Sequence, residues 1–187
     1  MTRAEARQFF EWFVSQSASR QKILSEYMRE TGGDCEKLDY TPESLVSLWA
    51  WAVAHVQARR LTGDEIEALS KSTPSWFKDV DHDNRELTEE TISISVDVGY
   101  YLAEVFLRRY PRLKWGLWTK GKKSYDYHRP VIRGIIGGKY EIPLDPSGIV
   151  QTCAWHAIRG KHNIQKLYEI YKFWSENHCF DSQSIPS

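Results

Sequence analysis

The chain has 187 residues and a mass of 21.9 kDa, which is enough for one domain with its own apolar core. Its 25 basic and 25 acidic residues cancel, so no global field attracts nucleic acid or an anionic membrane. No run approaches the ~18 apolar residues of a membrane span, and the N-terminus has no apolar core of a signal peptide. Three well-separated cysteines, Cys35, Cys153 and Cys179, are typical of reduced thiols. We therefore expect a cytoplasmic protein that does not bind a membrane.

Hydrophobic periodicity predicts helices through the first 70 residues. Residues 2–15 and 20–30 each carry an apolar stripe with charged residues around it. A third helix is expected from Thr41, a residue type that caps free amide groups, to about Arg60. Thr62 opens a further short helix by the same reasoning.

The most apolar helix is predicted between Thr88 and Pro111, and its apolar character on most faces indicates a central, buried position. After Pro111 the alternation of residue types changes to that of strands and predicts a small antiparallel sheet of two or three strands. Two final helices are expected, from Asp145 to about Arg159 and from Asn163 to about Glu176. We interpret residues 1–179 as a single α+β domain, mostly α, and residues 180–187 as a polar tail.

An acidic stretch before the central helix has the oxygen ligands of an EF-hand calcium loop. The matching positions are Asp79, Asp81, Asp83 and Glu90. Two positions depart from the motif, because Asn84 replaces the usual glycine and Glu86 replaces the usual aliphatic residue. A solvated acidic loop that leads into a helix is the alternative, and we expect no metal here.

Charges of opposite sign are concentrated in two segments. Residues 64–90 hold nine acidic and three basic residues, whereas residues 108–133 hold nine basic residues and one acidic residue. Basic residues mixed with aromatic rings can follow a nucleic acid or form a protein-binding face. Because the net charge is zero, nucleic acid is the least favoured of these partners. The structural alternative is a hairpin whose lysines are solvated. The case for either segment as a binding face would be weaker if the two segments neutralised each other in the fold.

These two segments supply the candidate contacts with a protein partner. They are, on the acidic side, Asp79, Asp81, Asp83 and Glu86 and, on the basic side, Trp118, Lys120, Lys122, Lys123 and Tyr125.

Two further sets of residues have the chemistry of an active site. Asp97 and Glu104 are seven residues apart on the central helix and share a face, so they can serve acid–base work or form a hydrogen-bonded structural stripe. Cys153 and His156 are three apart on a predicted helix and have the side chains of a nucleophile with its base, or of two zinc ligands. A small buried cysteine is the alternative. We favour the structural interpretations and predict no catalytic residue and no cofactor.

The region around the central helix, about residues 90–136, has a distinctive sequence pattern. It combines a helix with Asp-x-Gly-Tyr-Tyr-Leu-x-Glu, a strand with tryptophan and an Arg-Pro-Val-Ile segment. This pattern is similar to uncharacterised bacterial families, some of which are similar to immunity proteins encoded beside polymorphic toxins. The matching positions are Asp97, Gly99, Tyr100, Tyr101, Leu102, Glu104, Trp115, Pro130 and Val131.

The resemblance implies a non-catalytic protein that binds a toxin domain and occludes its active site. Inhibitors that block nucleases tend to be acidic, whereas this chain is neutral, so a nuclease target requires the acidic segment as the binding face. The alternatives are a small enzyme or ligand-binding protein that uses Asp97 and Glu104 or Cys153 and His156, and a nucleic-acid-associated protein that uses residues 108–133. The sequence leaves the oligomeric state open.

Overall fold

The computed structural model describes residues 1–72, 84–161 and 163–178. Within these ranges the fold is α+β and mostly α, as predicted, with seven α-helices, a short 3-10 helix at Cys35–Lys37 and two small antiparallel sheets. The helices are α1 (Arg3–Ser15), α2 (Ser17–Glu30), α3 (Ser44–His55), α4 (Gly63–Ser72), α5 (Glu89–Arg109), α6 (Pro146–Ile158) and α7 (Lys166–Asn177). The strands are β1 (Ala58–Arg60), β2 (Arg85–Leu87), β3 (Lys114–Leu117), β4 (Pro130–Gly137) and β5 (Tyr140–Leu144).

Polar residues cap the helices that position the core. The Thr88 Oγ1 accepts the backbone N–H of Thr91 at 3.2 Å at the start of α5. The Asp145 carboxylate accepts the backbone N–H of Gly148 at 2.9 Å at the start of α6. Each bond satisfies an amide that has no partner inside the helix, so these two starts follow from the local sequence.

Helix α3 is shorter at both ends than the predicted helix. Thr41 does not cap it, because the Thr41 side chain bonds to Asp39 and the helix begins at Ser44. At the other end the chain is extended from Ala58, where it pairs with β2. The Thr91 hydroxyl accepts the N–H of Gln57 at 2.8 Å and donates to the carbonyl of Gln57 at 3.0 Å. These long-range bonds hold β1 extended in place of the predicted last turn.

Helix α5 is the central element, as its apolar sequence predicts. It packs against α2, α3 and α6, and one continuous apolar cluster includes side chains from all four helices and from the sheet. Gly99 permits the close approach of α6, because a Cβ at this position would lie within 2.7–2.9 Å of Ser147. In the described ranges, none of the helices is both long and apolar enough to cross a bilayer.

The predicted small sheet is present and has the strand order β3-β4-β5, with both pairs antiparallel. It packs on α1 and α5 through Trp115, whose ring centroid lies 5.6 Å from that of Phe13 and 6.1 Å from that of Tyr100. The loop between β3 and β4, residues 118–129, is called the basic loop below. It leaves the sheet close to the start of α6, where it forms one wall of a groove.

Candidate functional site

The acidic side of the predicted contact surface is described only in part. Asp79, Asp81 and Asp83 lie outside the described residues, and with them three of the four positions of the calcium-loop alternative. Glu86 lies on β2 and forms an ion pair with Arg59. Glu90 accepts a hydrogen bond of 2.6 Å from the Tyr27 hydroxyl. Both described carboxylates therefore already have partners within the fold.

The basic loop is a defined structure, held at its base by backbone hydrogen bonds. The Trp118 N–H donates to the Arg129 carbonyl at 3.0 Å, and the His128 N–H donates to the Trp118 carbonyl at 2.8 Å. At its tip, Gly121 has a φ of 65° and accepts the N–H of Ser124 at 2.7 Å. A positive φ suits glycine, which has no Cβ to clash in this conformation. The loop thus presents its side chains from a fixed backbone.

Two of the predicted contact residues on the basic side contribute to the fold. Trp118 is only 5% exposed, so its ring belongs to the core and is not accessible to a partner. Lys120 forms an ion pair of 3.1 Å with Glu141 and lies 5.4 Å from the centre of the Trp118 ring. Glu141 also accepts two hydrogen bonds from Arg133, which hold the pKa of its carboxyl down at about 2. This network ties the loop to strand β5.

The other three predicted residues of the basic side are exposed. Lys122 and Lys123 make no ion pair with any residue in the described ranges. Tyr125 is 65% exposed, and the Arg129 guanidinium lies 3.8 Å from the centre of its ring. Arg129 is itself held by a 3.0 Å ion pair with Asp145. A stacked guanidinium restricts the motion of an exposed ring, which lowers the entropy lost when a partner binds.

Tyr125 borders a groove of about 400 Å³ between the basic loop, α6 and α7. Cys153 and His156 line the same groove. The structure therefore brings this pair of residues together with Tyr125, which is far from them in the sequence. Burial raises the pKa of the Cys153 thiol to about 11. The thiol is therefore protonated at neutral pH and is a weak nucleophile. The groove walls are mostly apolar, and its residues from α7 are Lys166, Ile170 and Trp174.

The structure does not bring Asp97 and Glu104 into one site, because they line different clefts. Asp97 forms a bidentate pair with Arg20, with N–O distances of 2.5 and 2.7 Å. Burial raises the pKa of Asp97 to about 6, against the opposing effect of Arg20. Glu104 pairs with Arg108 at 3.4 Å on the helix surface. Each carboxylate is thus paired with an arginine within the fold.

Sequence reasoning did not single out Arg129, Lys166 or Trp174. Arg129 was counted only as one charge of the basic segment, although it fixes Tyr125. Lys166 and Trp174 lie eight residues apart on one face of α7, with Ile170 midway between them. This spacing of four indicates a helix face. It does not show that the face borders a groove, since the opposite wall belongs to α6 and the basic loop.

Within the described part of the chain, no cluster of three or more His, Cys, Asp or Glu side chains is arranged to hold a metal ion. Comparison with protein-family models, with curated proteins and with solved structures finds no match to this chain.

Proposed function

We propose that this chain is a non-catalytic, cytoplasmic protein-binding protein that neutralises a bacterial toxin by covering its active site. The observation that supports binding is the surface of the basic loop. There Lys122 and Lys123, which form no ion pair with another described residue, lie in the same loop as Tyr125, an exposed ring fixed by Arg129. Tyrosine and arginine are favoured anchors of protein interfaces. The toxin as target rests on the sequence pattern of residues 90–136, which is similar to uncharacterised bacterial families, some of which are similar to immunity proteins.

The burial and pairing of the candidate catalytic groups favour binding over chemistry. The Cys153 thiol is protonated at neutral pH because burial raises its pKa. The Asp97 carboxylate is occupied by the two N–H groups of Arg20. A buried, protonated thiol and a carboxylate held by two N–H groups are poorly placed to react with a substrate. A small enzyme that uses these residues is therefore the weaker alternative.

The proposed mechanism is steric occlusion assisted by charge. Lys122 and Lys123 would attract an acidic surface and increase the rate of encounter. Tyr125 would then bury its ring against the partner, with little loss of rotamer freedom because Arg129 already orders it. An active site lined by carboxylates is the complementary target. Binding there blocks the entry of substrate and requires no covalent step.

Co-purification with the product of the adjacent gene tests the proposal. The double variant K122E/K123E should weaken the complex at least tenfold, mainly through a slower association rate. The double variant K22E/K172E is the matched control, since it makes the same change in net charge on α2 and α7 and should have less than a twofold effect. Growth of cells that express the neighbouring gene should depend on this chain.

Two outcomes would contradict the proposal. Equal losses in both double variants would show that only net charge matters and that the basic loop is not the contact. Steeply salt-dependent binding to an arbitrary oligonucleotide, abolished by K122E/K123E and found without a protein partner, would replace it by a nucleic-acid function.

A further inference from the structure

The groove beside the basic loop is bordered by one continuous face of each of two helices. Along α6 and its cap the lining residues extend from Asp145 to His156, a distance of ~16 Å at 1.5 Å per residue. On α7 they are Lys166, Ile170 and Trp174, one per turn. The volume of about 400 Å³ is within the range of sites that bind small ligands or single side chains.

The mostly apolar groove has a positive charge at one end. Lys166 is half-buried and makes no ion pair or side-chain hydrogen bond with any residue in the described ranges. Lys166 lines the groove, and its positive charge opposes the rise in the pKa of the Cys153 thiol that burial causes. His156 lines the groove as well.

Two carboxylates also line the groove, and neither forms an ion pair with Lys166. Asp145 pairs with Arg129 at 3.0 Å and caps α6, and Asp126 accepts a hydrogen bond of 3.3 Å from Ser124 within the loop. A half-buried ammonium without a counter-ion is stabilised by an incoming anion. The groove therefore suits a ligand that has an apolar body and a carboxylate at the Lys166 end.

We infer that this groove anchors an acidic segment of the protein partner, by taking up one large apolar side chain and pairing an adjacent carboxylate with Lys166. This inference rests on the proposed function and makes it more specific. Tyr125 connects the two surfaces, since it belongs to the basic loop and also lines the groove. A partner attracted by Lys122 and Lys123 therefore meets the groove directly beside its first contact. The same acidic segment satisfies both surfaces.

Three small probes test the groove without the partner. They share a phenylbutyl body and differ in charge: 4-phenylbutyrate, the neutral 4-phenylbutyramide and 4-phenylbutylamine. Binding to the full chain is followed by NMR through the indole N–H of Trp174, which is assigned with W174F. The carboxylate should bind at least tenfold more tightly than the amine. The K166Q variant should reduce this preference to less than twofold, whereas K172Q on the same helix should leave it unchanged.

A groove-filling substitution separates the apolar contribution from the charge. Thr152 is exposed and lines the groove, so T152W should fill it and abolish the shift caused by all three probes. Equal affinity for the carboxylate and the amine would overturn the inference, and so would equal effects of K166Q and K172Q. Because K166Q alters one half-buried side chain only, it keeps the test decisive if T152W does not fold.

The partner then distinguishes this inference from the proposed function. Both T152W and K166Q should weaken the complex at least tenfold if the groove is the anchor. A complex that requires Lys122 and Lys123 but tolerates both groove variants overturns the inference and leaves the proposed function standing. If the neighbouring product does not bind at all, the proposed function fails, and the assignment of the groove to a protein segment fails with it.

Discussion

The pair between Arg20 and Asp97 gives a prediction in which both sign and pH range follow from the structure. The Asp97 side chain is only 7% exposed, and Arg20 donates to both of its oxygens and to Ser93 at 2.7 Å. Burial raises the Asp97 pKa from 3.8 to about 6, and Arg20 keeps it from rising further. The perturbation is R20M, which removes the charge and the donors but keeps an apolar stem.

The cost of R20M should depend on pH. At pH 8 the variant leaves a carboxylate buried without its partner, which destabilises a protein by about 3–5 kcal/mol. At pH 5 the Asp97 carboxyl is largely protonated in the folded state, because its pKa is about 6. Only hydrogen bonds of ~1–2 kcal/mol are then lost. We therefore expect the loss of stability to be larger at pH 8 by about 2–3 kcal/mol.

The stability of the wild-type chain should also depend on the ionisation of Asp97. A pKa that is higher in the folded than in the unfolded state means that the folded state binds the proton more tightly. The stability contributed by protonated Asp97 is complete below pH 3.8 and is lost as the pH rises through 6. The difference in pKa corresponds to about 3 kcal/mol. This loss should be absent in D97N.

Urea unfolding followed by tryptophan fluorescence at pH 5 and pH 8 measures these differences. The control is K22M, which breaks an exposed pair of 3.7 Å with Glu26 on the same helix and should cost less than ~0.5 kcal/mol at both pH values. If R20M loses the same stability at pH 5 and pH 8, Asp97 does not titrate in this range and the reasoning is refuted.

Three other substitutions test how the core and the sheet are held, each by its free energy of unfolding in urea. G99A should destabilise the chain, because the added Cβ would lie within 3 Å of the backbone of α6. The overpacking costs about 1–3 kcal/mol, which exceeds the ~1 kcal/mol gained from the higher helix propensity of alanine. An increase in stability would contradict this prediction. Y101F should lower the free energy of unfolding by about 1–3 kcal/mol, because it removes the hydroxyl that accepts the Tyr40 N–H. An unchanged urea midpoint would show that another group accepts this hydrogen bond. E141Q should reduce the stability at pH 7 but have little effect at pH 2. Arg133 holds the pKa of Glu141 at about 2, so the stability that this carboxylate contributes is present above pH 4.5 and is lost as the pH falls. A loss of stability that does not depend on pH would disprove this prediction.

The parts of the fold that could be predicted are those that depend on neighbouring residues. The start of α5 at Thr88 and the start of α6 after Asp145 need only a capping side chain and an apolar period that follows it. The three-stranded sheet follows from alternation with glycine turns. These signals extend over a few residues and are therefore visible in the sequence.

The parts that could not be predicted depend on residues that are far apart in the chain. Strand β1 was predicted as helix, because its partner β2 lies 27 residues further on and only their pairing favours the extended form. The pairing of Arg20 with Asp97 spans 77 residues, and no local pattern indicates it. For the same reason the candidate site was predicted as separate pieces, with Tyr125 in one segment and Cys153 in another. The groove that joins them exists only once α6, α7 and the basic loop are in place.

Among the described residues, the ion pairs of the basic segment are formed with acids that lie outside residues 64–90. Its paired residues bind acids from helix α5, strand β5 and the cap of α6: Arg108 with Glu104, Lys120 and Arg133 with Glu141, and Arg129 with Asp145. Lys122 and Lys123 form no ion pair with any other described residue. Charges that the fold does not neutralise are available to a partner, and here they lie beside a fixed ring and an apolar groove. This combination is what makes the basic loop a more specific hypothesis than a solvated hairpin.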